Sequence, residues 1–507
     1  MNRIVPVCLS TLGFFLACSD NGSDKSDEAL IARIGDKSIS VNEFIRRAEY
    51  TIRPAYCRSD NYIHRKIVLN SLVAEKLLAI EAGDQNELMQ NREVQMYLQG
   101  RKEQSMRQWM YNEEMHRKVD IDSGEVKSVF KIAGRTYKIS YFNVDKLADR
   151  EKVYTALKSD HTDFTALYHS LGGKGEPPRR EVGFQDPGHD AIHDALFTRK
   201  YEKGELVDPV RLSKDNMLVM RIDGWTDKIA MTDTQIEERW QSVRNKLAEK
   251  KANAMFDGYV KDLMHGKTVE FNRTTFEKLV TIVAPQYYKS EADKREAFNK
   301  KFWNKDRDEM ILDDLTNQMN AIMDEPLLIH DGETWTVRML QDAIQIHPLV
   351  FRQRKMPKGE FAEQFKLAIV DLIRDQHITR DAYEKGYDRV PEVQRNYAMW
   401  ADNLKALYLK EQLLGRMDTA GKSEMEIITD VLTPYTMELT AKYGSDIGIN
   451  TDALEKAQLT GIDMFVIQRN VPYPVIVPSF PALTVHDKLD YGKKMTVAAN
   501  DQNNRTW

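Results

Sequence analysis

Cysteine, long apolar runs and an excess of either charge are all scarce in this 507-residue chain. Three cysteines, Cys8, Cys18 and Cys57, are too few for a disulfide framework, so packing alone must hold the fold. The conspicuous apolar run, Ile4 to Leu16, is too short for a permanent membrane span. With 42% hydrophobic and 30% charged residues and a mean hydropathy of -0.55, the composition excludes a multi-span membrane protein. A net charge of -5 with both signs interspersed leaves no basic footprint and sets nucleic acid aside as a partner. No Ser-His-Asp arrangement, phosphate loop or dinucleotide fingerprint stands in a recognisable context, and no residue set implies a cofactor.

The N-terminus differs from the rest. Arg3 gives a minimal positive end, Ile4 to Leu16 reads as a secretory h-region, and Phe15-Leu16-Ala17-Cys18 is followed by the polar Ser19 to Asp24. This resembles a bacterial lipoprotein signal, which implies removal of residues 1–17, lipidation of Cys18 and a short tether over 18–28. The alternative is an ordinary cleaved signal peptide. Acyl chains on Cys18 would anchor the protein to a membrane, since each buried CH2 contributes roughly 0.8 kcal/mol. Ser19 favours the outer membrane of the cell envelope if the source resembles enterobacteria. Cys57 then remains alone and reads as a packing residue.

From about Ala29 the chain reads strand, helix, helix, helix. Ile31 to Ile34 and Gly35-Asp36 suggest a strand and turn, Ser40 and Glu43 have capping-box spacing, and a helix is expected from Val41. Val68, Leu72, Val73, Leu77 and Ile80 mark a second helix, and a third runs from about Arg92 to Lys118. The pattern returns some 300 residues later. Ser38 to Val41 matches Thr334 to Val337, and Leu72, Glu75, Glu81 and Ala82 match Leu372, Asp375, Asp381 and Ala382. A closing element recurs as well, with Tyr259, Leu263, Phe271-Asn272 and Phe276 matching Tyr435, Leu439, Ile449-Asn450 and Leu454. Each half is therefore expected to pack its own opening and closing sections into one module. The first half spans 29–119 and 230–280 around an inserted domain at 120–229, and the second half spans 329–460. Residues 281–328 read as a charged helical spacer. Residues 461–507 read as a strand at Met464 to Ile467, an extended strap set by Pro472, Pro474, Pro478 and Pro481, and a disordered tail.

The insert reads β-α-α-β-α-β-β, a mixed α+β unit. Its segments Glu181-Val182-Gly183-Phe184, Asp194-Ala195-Leu196-Phe197, Lys203 to Val210 and Leu218 to Ile222 resemble the parvulin (PpiC or rotamase type) peptidyl-prolyl isomerases. The opening section before it is similar to the N-terminal region of the SurA, PpiD and PrsA group of periplasmic chaperones. The resemblance covers Ile31 to Leu279. It implies a mainly α fold with an inserted α+β parvulin-like domain and a duplicated SurA-N-like helical module with short pairing strands. Carried over position by position, the family's first-strand histidine falls at Ile139 or Ser140 and its last-strand histidine at Met217. Its proline-pocket Met and Phe fall near Gly188 and Ile192. Those four usual residues are absent, so the isomerase site reads as degenerate, leaving a peptide groove over Phe184, Phe197 and Met217.

Two rival signals need weighing. His189 and His193 stand at i and i+4 with Asp190 between them, like a zinc-protease motif with Asp for Glu. No third ligand stands out, so they read as ordinary histidines and no metal is assigned. Met89, Met96, Met106, Met110, Met115, Met310, Met319 and Met323 suit either a client-accepting surface or a core. The expected function is a chaperone or foldase for unfolded secreted or outer-membrane polypeptides, facing the periplasm. The alternatives are an active parvulin-type isomerase and a non-catalytic scaffold lipoprotein of an envelope or export complex.

Overall fold

The computed structural model describes residues 30–157, 163–186, 190–212, 216–288, 317–352, 356–419, 421–459 and 471–495. Cys8, Cys18, Gly188, His189, Met310 and the expected strand at Met464 to Ile467 lie outside them. The protein is mainly helical, with small, largely antiparallel sheets. The opening section holds β1 (Leu30–Ile34), β2 (Lys37–Ser40), α1 (Val41–Glu49), α2 (Tyr62–Ala82) and α3 (Arg92–Glu114). The insert adds α4 (Ser123–Ala133), β3 (Arg135–Val144), α5 (Leu147–Leu157), α6 (Phe164–Ser170) and β4 (Arg179–Gly183). It continues with α7 (Asp190–Phe197), β5 (Leu206–Arg211) and β6 (Met217–Asp227). The first closing section is α8 (Asp233–Leu263), β7 (Val269–Phe271) and α9 (Arg273–Tyr287). The second half opens with β8 (Pro326–His330), β9 (Glu333–Thr336), α10 (Val337–Ile346), α11 (Phe361–Glu384) and α12 (Pro391–Leu414). It closes with α13 (Thr433–Lys442), β10 (Ile447–Ile449) and α14 (Thr451–Lys456), and a final strand β11 is Lys493–Lys494.

The repeat extends to individual hydrogen bonds. Ser40 caps α1 by accepting from Glu43 N, and Thr336 caps α10 by accepting from Met339 N. The Glu43 carboxylate turns instead to Lys76, 2.9 Å away, so the capping box is only half made. In the β1–β2 and β8–β9 hairpins the register slips at equivalent places, between Leu30 and Ala32 and between Pro326 and Leu328. Asn450 N donates to Ile31 O and Asn272 N to Leu327 O, each at 2.8 Å. The side chains of these two asparagines cap α14 and α9, Asn450 accepting from Ala453 N and Asn272 from Thr275 N.

These bonds correct the expected pairing of sections. β1 pairs with β10, from the other half, through Ala32–Ile449 and Ile34–Ile447. β8 likewise pairs with β7, through Val269–His330 and Phe271–Leu328. Each opening section thus packs against the closing section of the opposite half. The first lobe buries Ile31, Ile39, Phe44, Leu72 and Leu77 with Leu439, Ile447, Ile449 and Leu454. The second lobe buries Leu279 and Ile282 with Leu327, Leu328, Phe361, Phe365 and Ile369. The long helices cross as well. α12 carries Ala406, Leu409 and Leu413 into the first lobe. α3 lies along the second, where Arg107 donates to Thr379 Oγ1 at 2.6 Å and His347 bonds Glu103 Oε2 at 2.5 Å. Tyr97 meets Trp400 edge-on where α3 and α12 cross.

The expected spacer also changes at its margins. Leu279 just before it, and Ile282, Ile322 and Met323 within it, are core residues of the second lobe. At the C-terminus the strap is anchored along its length. Phe480 and Leu483 pack in the first lobe, Ser479 O accepts from Arg47, and Asn70 donates to His486 O and Lys488 O. β11 then adds a parallel strand beside β10, so residues 493–494, expected in the disordered tail, belong to a sheet.

The insert builds a four-stranded sheet in the order β4-β3-β6-β5. Its boundaries run past 120–229, because α8 belongs to it in part. Val243, Trp240 and Leu247 of α8 pack on the sheet, while Ala252 and Phe256 of the same helix pack with Met106, Met110 and Ile378. A single helix of 31 residues, about 46 Å at 1.5 Å per residue, joins the insert to the lobes.

Candidate functional site

Side chains alternate across a strand, so parity decides which of the insert's residues can meet. Tyr137 and Ile139 of β3, with Leu218, Met220 and Ile222 of β6, face α7 and α8 together with Val182, Phe184, Ile192 and Phe197. Phe142 and Val144 of β3, with Met217 and Val219 of β6, face α5 and α6 and bury Val153, Phe164 and Leu167.

The expected groove over Phe184, Phe197 and Met217 is therefore not formed. Phe184 and Phe197 pack edge-on at 5.2 Å inside one core, Phe197 also meets Tyr137 at 5.6 Å, and Met217 lies across the sheet. Ile139 and Ile192 sit in the same core as the two phenylalanines. Ser140 shares the strand face of Met217 and is fully buried, its hydroxyl donating to Asp223 Oδ2 at 2.5 Å. Asp223 also accepts from Arg221, through Nε at 3.0 Å and Nη2 at 2.8 Å. A carboxylate held by a guanidinium and a hydroxyl is well satisfied, with little capacity to take a proton from a substrate.

Met217 instead lines an open, shallow cavity of about 300 Å3 with Leu147, Arg150, Glu151, Tyr154 and Arg211. The position follows from register, since Met217 lies opposite Val144 on β3 and Arg211 on β5, at the end of the sheet beside α5. Leu147 is 74% exposed and Tyr154 51% exposed. They stand two turns apart on α5 with Arg150 and Glu151 between them on the same side, while Val153 turns inward. The arrangement offers apolar contact with a charged rim and is open enough for an extended chain. The seven-residue spacing of Leu147 and Tyr154 was visible in the sequence. Apolar residues on a short helix pass for core, however, and that signal was missed.

The other candidates resolve into structure. His193 Nε2 bonds Asp186 O at 2.8 Å, its Nδ1 lies 3.1 Å from Lys246 Nζ, and its ring stacks on Phe197. Burial, reinforced by Lys246, lowers its pKa, so a neutral ring donates at Nε2 and accepts at Nδ1, leaving no nitrogen for a metal. Met106, Met110 and Met115 are buried among Tyr111, Phe256 and Val393 and fill a core. Cys57 is fully buried, and desolvation pushes its thiol up to about 12, which makes it inert. Among the described residues, no helix is long and apolar enough to cross a membrane. Neither a known protein family nor a curated protein matches this chain.

Proposed function

We propose that the protein is a chaperone of the bacterial cell envelope that holds unfolded polypeptide segments through apolar contact, without isomerising them. The observation that carries this reading is the open cavity beside Leu147 and Tyr154, two exposed apolar side chains next to Met217. Exposed apolar side chains around an open cavity give an unfolded segment apolar contact. The sheet order β4-β3-β6-β5, with helices on both faces, is compatible with the parvulin-like reading of the insert. The envelope location and the lipid at Cys18 rest on the N-terminal sequence.

The insert lacks the residues that the family resemblance would use for isomerisation. The barrier to turning an X-Pro bond is about 18–20 kcal/mol, and a polar cluster must weaken the amide to lower it. Met217 stands where the family resemblance places one histidine, and Ser140 is committed to Asp223. The isomerase alternative rests on that Ser140–Asp223 pair, and the scaffold alternative needs neither feature.

Purified protein should suppress aggregation of an unfolded client near equimolar ratio and leave a prolyl tetrapeptide at its thermal rate. Leu147→Asp with Tyr154→Asp should abolish protection with the fold intact. Catalysis at substoichiometric protein, lost in Ser140→Ala, would instead establish the isomerase, and silence in both assays would favour the scaffold.

A further inference from the structure

We propose that the second lobe carries a binding site for a divalent first-row transition metal, built from His330, His377 and Asp331. His330 ends β8, Asp331 occupies the following turn, and His377 projects from α11. The two Nε2 atoms lie 2.8 Å apart, and the carboxylate of Asp331 completes a set whose ligand atoms are all within 4.8 Å of one another.

Two observations favour a metal over simple packing. His330 Nδ1 lies 3.1 Å from the backbone carbonyl of Thr268. A ring N–H spent on a carbonyl fixes the tautomer and leaves the Nε2 lone pair facing His377, the usual arrangement behind a metal-bound imidazole. The twin positions in the first lobe are the second observation. The matched β-hairpins place Ile34 where His330 stands and Gly35 where Asp331 stands. The helix repeat that pairs Leu72 with Leu372 places Leu77 where His377 stands. Ile34 and Leu77 are both fully buried in plain apolar core. The same architecture therefore closes without imidazoles, and packing does not require them in the second lobe.

The donors also indicate the class of ion. Two imidazole nitrogens and one carboxylate suit borderline ions such as Zn2+, Co2+ or Ni2+, whereas Mg2+ and Ca2+ take oxygen. With bonds of about 2.0–2.1 Å, nitrogens 2.8 Å apart subtend nearly a right angle at the ion, and a tetrahedral site would open them by about 0.5 Å. Asp331 is exposed, and its carboxylate now accepts from Lys267 Nζ at 3.2 Å and Thr268 N at 3.3 Å. Rotation of this side chain brings an oxygen to the ion, and His377 is only half-buried, which leaves a route in from solvent.

The test is calorimetric titration of the untagged full-length chain with Zn2+, with Mg2+ as the control ion. One equivalent of Zn2+ is expected, undisturbed by excess Mg2+. The double variant His330→Ile, His377→Leu carries the residues of the other lobe and should lose that equivalent with unchanged circular dichroism. Should it fail to fold, His377→Ala alone, at a half-buried position, should weaken binding at least tenfold. No Zn2+ uptake by the parent chain, or full uptake by the variants, overturns the proposal and leaves a hydrogen bond between two neutral rings.

Discussion

The two lobes share a backbone plan and fill the space beside the helix after the hairpin differently. In the first lobe Arg47 and Glu75 are fully buried and joined by two hydrogen bonds at 2.7 and 2.8 Å. Beside them Lys76 sits between Glu43 at 2.9 Å and Asp402 at 3.2 Å, and Lys37 reaches Asp402 at 2.7 Å. In the second lobe the hairpin repeat places Met339 and Ala343 where Glu43 and Arg47 stand, and both belong to or pack against its apolar core. Phe276, Phe351, Phe361 and Phe365 supply the bulk there in a chain of ring contacts. One scaffold thus tolerates an ionic or an aromatic interior, provided each is internally satisfied. The ionic version constrains more, because a buried charge must keep its partner.

The sharpest way to break the contrast is Arg47→Met. It strands the Glu75 carboxylate and should destabilise by about 3–5 kcal/mol, read as a drop in the urea midpoint. Adding Glu75→Leu should restore most of the loss. Phe365→Ala, in the aromatic lobe, should also cost about 3–5 kcal/mol, but there no second substitution removes a stranded charge. Both effects should appear in a single unfolding transition, since each lobe contains both halves of the chain.

Gly100→Ala attacks the junction. A Cβ at this position would lie 1.8 Å from Ile346 O, backbone against backbone, so α3 and α10 must separate. A loss of about 1–3 kcal/mol is expected by the same urea assay. Acid should weaken both lobes. Burial opposes ionisation of Glu103, yet hydrogen bonds from His347 and Gln99 outweigh it and lower its pKa. Asp402 is lowered likewise, Lys76 and Lys37 overcoming burial. Each lends stability that is present above its unfolded value, 4.5 or 3.8, and is lost as pH falls through the lower folded value. Burial raises Glu43, whose contribution runs the other way and fades as pH rises from 4.5. Urea midpoints measured downward from pH 7 should therefore fall below about pH 4.5, and Glu103→Gln should flatten that fall more than Glu43→Gln. The smallest effect is the most symmetric. Ser40→Ala and Thr336→Ala should each cost about 1 kcal/mol, and a large difference between them would deny that the two caps are equivalent.

Much of this was legible in the residues. Ser40 announced α1 and Thr336 its twin, and the constant spacing of Leu72, Glu75 and Ala82 from their partners revealed the repeat. Which sections meet was not legible. β7 and β10 carry the same short apolar signature before an asparagine, so either fits either hairpin, and a repeat reports likeness rather than contact. The groove over Phe184, Phe197 and Met217 follows from the family resemblance, and a resemblance carried over position by position does not fix on which face of the sheet Met217 lies. His330 and His377, 47 positions apart, share no motif, and only the fold of α11 against β8 joins them. β11 was missed because two lysines have no strand propensity, and β10 alone recruits them.

The crossed pairing also sets a timetable for synthesis. β1 is among the first segments made, yet its partner β10 comes after nearly the whole chain, and the strap that covers Arg47 comes later still. Until those residues arrive, the ionic interior of the first lobe lies open and its strand edge is unpaired. Such an intermediate is slow to close and prone to stray association. The second lobe, whose strands β7, β8 and β9 are consecutive, can be complete while the first is still waiting.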